Sequence, residues 1–69
     1  MPDKKTVGER LRELRKAAGL SQQELADYVG VDRSAICMYE LGQRIPKDDI
    51  KIRLCEKLGQ DVQHIFFTK

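Results

Sequence analysis

The side chains of sharpest chemical character in this 69-residue chain are Cys37, Cys55 and His64. Zinc ligands come in sets of four at short, paired spacings, and these three form no such set. Two cysteines without a C-x-x-C pair are too few for a disulfide framework. Cys37 reads as an ordinary small residue rather than a redox sensor, because no surroundings that would stabilise a thiolate are evident. Cys55 reads as a core residue. Neither a nucleophile–base set nor a glycine loop that could cradle phosphate is present, so catalysis finds no support and no cofactor is implied.

The informative spacing lies elsewhere, between Gln22 and Tyr39, and its chemistry is that of shape. Two short helices joined by a tight turn at a steep angle need a small residue where they approach, and Ala26 fits. They need a residue at ease with positive φ in the turn, and Gly30 fits. Leu25, Val29, Val31 and Ile36 fall at offsets that hold such a corner to the body of the domain.

Five helices are expected to position that corner. Thr6 is expected to cap the first, with Glu9 completing a capping box. Val7, Leu11, Leu14 and Ala18 recur on its inner face, Arg10, Arg12, Glu13 and Lys16 mostly on the outer, and Gly19 ends it. Ser21 caps the second helix with Glu24 three residues on, and Gly30 stops it. Asp32 caps a third that runs to about Leu41, with Ile36 and Tyr39 inward and Gly42 closing it. Gln43 to Pro46 forms a loop. The fourth helix spans about Lys47 to Leu58, with Asp48 and Asp49 in its first turn and Ile50, Leu54, Cys55 and Leu58 inward. Gly59 ends it, and Asp61 caps a short fifth helix carrying Val62, Ile65 and Phe66. Ile65 to Phe67 could alternatively pair as a short strand. The expected fold is an all-α, five-helix bundle forming a single domain over residues 1–69.

Net charge is +2, weak evidence for a nucleic-acid partner, and its distribution is less favourable still. Residues 1–18 carry six Lys and Arg against three acids, whereas residues 19–46 carry Arg33 and Arg44 against Glu24, Asp27, Asp32 and Glu40. A basic footprint would normally cluster on the contacting face. No secretion signal and no apolar run long enough to span a bilayer is seen, so a protein of a reducing cytoplasm is expected, with no membrane partner.

Leu20, Ser21, Gln22, Gln23, Glu24, Leu25 and Ala26, then Gly30 and Val31, Ile36, Tyr39 to Gly42 and Pro46, resemble the Cro/phage-repressor-type helix-turn-helix family. The resemblance continues through Leu58 and Ile65. It implies a lambda-repressor-like bundle with a helix-turn-helix core over residues 21–41, whose third helix enters the major groove of double-stranded DNA while the second lies across the backbone. By position, Arg33, Ser34 and Met38 match the base-contacting residues, with Cys37 beside them. Arg33 would grip guanine O6 and N7, Ser34 would serve a donor or an acceptor, and Met38 would pack on a thymine methyl. The bland alternatives are a solvated Arg33 and a gap-filling Met38. Asp32 is read as a cap, with acceptance from a cytosine amino group as its other role.

The same resemblance gives Gln22 a phosphate and the task of bracing the first residue of the third helix, with Ser21 beside it. Backbone N–H groups near Leu41–Gln43, with Gln43, Arg44 and Lys47, would hold further phosphates. Arg15 and Glu40 match a structural salt bridge, alongside Ala26, Gly30 and Ile36 as structural residues. Ile65, Phe66 and Phe67 form the candidate dimer interface, one phenylalanine completing the core. The expected function is a transcriptional regulator, a repressor on a short palindromic operator as a homodimer, with no small-molecule ligand. The alternative is a protein-interaction module such as an antitoxin or a coactivator-like bridge.

Overall fold

Asp3 starts the first helix. Its side-chain Oδ1 accepts from the Thr6 amide at 2.8 Å, and the computed structural model, which describes residues 2–67, runs helix α1 over Lys4–Ala17. The expected cap at Thr6 is thus corrected: Thr6 lies in the first turn and supplies the donor that Asp3 takes. Both residues are competent caps, and the upstream carboxylate lets the chain turn helical sooner. Val7 and Leu11 are buried and Leu14 packs against the core, but Ala18 is exposed and the next inward place goes to Arg15.

The second and third helices, α2 over Gln22–Val29 and α3 over Arg33–Glu40, begin as their sequences dictate. Ser21 Oγ accepts from the Glu24 amide at 3.0 Å while Glu24 Oε1 accepts from the Ser21 amide at 2.9 Å. Asp32 Oδ1 accepts from the Ala35 amide at 2.9 Å. Between them Gly30 adopts φ +82°, a conformation costly to any residue with a Cβ. Its amide and that of Val31 both donate to Ala26 O, so three residues suffice to turn the chain. Ala26 is wholly buried at this corner, with Leu25, Val29 and Ile36 around it.

Helix α4 spans Asp48–Leu58 and buries Ile50, Leu54 and Cys55, with Leu58 at the edge of the core. Burial pushes the Cys55 thiol up, and the charge of Asp61 adds to it. Arg53, also on α4, donates through Nη1 to Val29 O at 3.1 Å and so satisfies a carbonyl at the end of α2. The last element, α5 over Gln63–Phe67, is a single wide π-type turn begun by Asp61, whose Oδ1 accepts from the His64 amide at 2.7 Å. The alternative of a strand at Ile65–Phe67 is not adopted. The described residues form five helices.

Two long-range contacts close the bundle. Gly8 lets α1 lie directly on the end of α3, since a Cβ there would come 2.8 Å from the Glu40 carbonyl carbon and closer still to the Tyr39 and Glu40 oxygens. Arg10, expected on the outer face, instead reaches α5 and donates through Nη1 to His64 O at 3.3 Å and Ile65 O at 3.1 Å. No helix is long and apolar enough to cross a membrane among the described residues.

Candidate nucleic-acid interface

Arg33 and Ser34 open α3 on its exposed side, and Cys37 and Met38 follow one turn later, half-buried. Residues four apart on a helix share a face, so Arg33 stacks with Cys37 and Ser34 with Met38. Leu41, 63% exposed, extends the same stripe past the end of α3. Sequence reasoning missed it, treating Leu41 only as a helix end, although a leucine one turn beyond Cys37 with no place on the inner face was the available signal.

Ser34 and Met38 form one side of an open groove of about 540 Å³, and Arg44, Lys47 and Asp49 lie across it. The structure therefore brings two base-reading candidates, Ser34 and Met38, and two phosphate-holding candidates, Arg44 and Lys47, together around one concavity, while Arg33, Cys37, Ser21, Gln22 and Gln43 lie outside its lining. Asp32 also lines it. Its carboxyl is held below the usual carboxylate range by the Ser34 hydroxyl, then the Ala35 amide, with a smaller pull from Arg44. Ser34 Oγ donates to Asp32 Oδ1 at 2.7 Å. A hydroxyl has one proton, so Ser34 now offers the groove an acceptor, which fits the amino group of cytosine or adenine.

Gln22, at the start of α2, stands beside Arg33, whose Nη1 donates to its Oε1 at 3.3 Å. On its other side Gln22 Nε2 donates to Glu40 Oε1 at 3.1 Å. Glu40 is 8% exposed and Arg15 9%, and they meet through Arg15 Nε to Glu40 Oε2 at 2.6 Å and Nη2 to Oε1 at 3.2 Å. A third arm, Arg15 Nη1, donates to Leu20 O at 2.8 Å. Removing one partner of such a pair strands a buried charge, typically at about 3–5 kcal/mol.

Two expectations are corrected here. The Leu41, Gly42 and Gln43 amides are not turned outward for phosphate: they donate to Cys37 O at 2.9 Å, Tyr39 O at 3.2 Å and Met38 O at 2.9 Å. Closing the end of α3 consumes them, and what this loop leaves exposed are the side chains of Gln43, Arg44 and Lys47. The dimer interface at Ile65, Phe66 and Phe67 is corrected for its first two members. Ile65 and Phe66 are both buried within their own chain, leaving Phe67, 42% exposed.

The acids of the segment are largely absorbed by structure. Glu40 is paired with Arg15, and the Ser21 amide and hydroxyl hold the Glu24 carboxyl below its ordinary range. Asp27 accepts from Gln23 Nε2 at 2.8 Å. Glu24 and Asp27 line a separate depression with Leu20, Tyr28 and Lys57, away from the groove beside α3.

Known proteins share both the fold and the sequence pattern. Residues 8–69 match the helix-turn-helix domain family. A putative HTH-type transcriptional regulatory protein of Pyrococcus furiosus is 49% identical over 49 residues, which cover 71% of this chain and 16% of that protein. The chain thus spans about a sixth of that relative's length. The restriction-modification controller protein C.AhdI of Aeromonas hydrophila superposes with a TM-score of 0.83 at 40% identity, covering 90% of this chain and 94% of that one. The P22 c2 repressor, solved in complex with a synthetic operator, gives a TM-score of 0.87 at 27% identity over 91% of this chain and 96% of that one.

Proposed function

Since the chain belongs to the helix-turn-helix domain family, of the Cro and phage-repressor type, we propose that it is a sequence-specific DNA-binding transcriptional regulator, a repressor acting on a short palindromic operator as a homodimer. The observation that carries this reading is the groove beside α3, with Ser34 and Met38 on one side and Arg44 and Lys47 on the other. In that arrangement Arg33, Ser34, Cys37 and Met38 reach base edges, while Ser21, Gln22, Gln43, Arg44 and Lys47 hold the phosphates that flank them.

One corner reads few base pairs, so a second copy is part of the proposal. With Ile65 and Phe66 buried, the surface that remains is Phe67 with Ile52 and Val62, which line one shallow apolar depression. Asp48 and Lys51 also line it and pair with each other at 3.6 Å within the chain.

Selecting bound sites from random DNA tests the whole reading. The expected outcome is a short inverted repeat, bound at least about a thousandfold more tightly than unrelated sequence, with affinity falling steeply as salt rises. Weak binding that is equal on every sequence would sink it in favour of a protein-interaction module.

A further inference from the structure

A single side-chain amide joins the buried ion pair to the exposed reading residue. Gln22 has a donor end, Nε2, turned to Glu40 and an acceptor end, Oε1, turned to Arg33. A carboxylate only accepts and a guanidinium only donates, so the amide between them has one orientation that satisfies both. Glu40 itself has no freedom to turn. Arg15 grips both of its oxygens from the opposite side, and Arg15 is anchored in turn to Leu20 O, one residue before the cap of α2. An unbroken series of hydrogen bonds thus runs from α1 through the end of α3 and the start of α2 to the first residue of α3.

We propose that Glu40 is a specificity-determining positioning residue: it sets the polarity of the Gln22 amide, and that polarity holds the Arg33 guanidinium in its base-reading pose. The proposal rests on the DNA-binding reading above and deepens it. The hydrogen bond to Gln22 spends one of the five N–H groups of Arg33 and leaves a two-pronged edge for a guanine. The Gln22 nitrogen keeps a second hydrogen for a phosphate, so one amide serves brace and backbone contact together. Were the amide reversed, its NH₂ would face the guanidinium, two donors would meet, and Arg33 would swing into water. Position 33 is therefore tuned by a side chain that approaches no base.

Glu40→Gln reverses the logic without changing shape. Arg15 demands the oxygen of the new amide, whose nitrogen then faces Gln22 and turns the Gln22 oxygen inward. The measurement is a titration against the selected operator and against the same operator altered at the base pair whose preference Arg33→Ala relaxes. A bidentate arginine–guanine contact discriminates by roughly 5- to 150-fold. Glu40→Gln is expected to lose that factor, and to lose nothing further when combined with Arg33→Ala, since the two act in series. Gln22→Met keeps length and leaves the ion pair whole, so it decides the matter if Glu40→Gln fails to fold; it should lose the same factor.

A folded Glu40→Gln variant that weakens every sequence equally, with the ratio intact, would show Glu40 to be merely structural. So would a Gln22→Met variant with full discrimination. Wild-type protein without any operator preference would overturn the DNA-binding reading and this inference together, whereas a selective wild type with unchanged ratios in both variants would overturn the inference alone.

Discussion

At the scale of single residues, the proposed base-reading and phosphate-holding roles are ones that binding measurements separate. Arg33→Ala should relax preference at one base position per half-site and cost about 1–3 kcal/mol. Lys47→Ala should instead weaken binding to all sequences alike and reduce the salt slope by about one. Finding operator discrimination untouched by Arg33→Ala would mean that α3 is read in the wrong register. The positions of Arg33, Ser34, Cys37 and Met38 were legible from the sequence because they follow from helix periodicity and a resemblance in spacing. The commitment of the Ser34 proton to Asp32 was not legible, since it depends on which way a hydroxyl turns. Nor was the loss of the Leu41–Gln43 amides, which hinges on how tightly the end of α3 closes.

Helices begin and end here through contacts three or four residues apart, which is why Ser21, Gly30, Asp32 and Asp61 could be read locally. Asp3 escaped because Thr6, three residues on, is an equally good local signal. Gly8 escaped for a deeper reason: its need for a bare Cα comes from backbone 32 positions away in α3. Gly8→Ala should destabilise the protein by about 1–3 kcal/mol, because the clash is with rigid carbonyls and outweighs a helix-propensity gain of about 1 kcal/mol. Thermal unfolding measures this, and an unchanged or raised Tm would refute the close approach of α1 and α3. Three caps also make stability pH-dependent. Asp3 is lowered by the Thr6 amide and hydroxyl, Glu24 by the Ser21 amide and hydroxyl, and Asp32 by the Ser34 hydroxyl and the Ala35 amide. A carboxyl lowered on folding contributes stability that is fully present above its unfolded pKa, near 4, and is lost as pH falls through the folded value. Tm should therefore hold from pH 7 to about 5 and fall below about 4. Asp32→Asn, which still caps but does not titrate, should flatten part of that fall.

On the scale of the whole molecule, the proposed dimer and the fold share the C-terminal turn. Ile52, on α4, is 53% exposed and stands outside the core, so Ile52→Lys should leave helical content intact while shifting sedimentation from dimer to monomer and weakening operator binding. An unaltered dimer would place the interface elsewhere. The all-α architecture and the central corner were legible in the sequence, whereas which of Ile65, Phe66 and Phe67 turn to the core was not, because an apolar run suits a core and an interface equally well. The reach of Arg10 to His64 and Ile65 also gives the molecule an order of assembly. Gln22 of the corner finds Arg33 and Glu40 at 11 and 18 positions, but α5 joins α1 across 54 and 55, and closing so long a loop costs more entropy. α5 is therefore expected to dock late and open early, so that its amides should exchange with solvent before those of α2 and α3. A second copy seated on Phe67 would hold that turn shut by mass action, so dilution would loosen the C-terminal turn while leaving the corner formed.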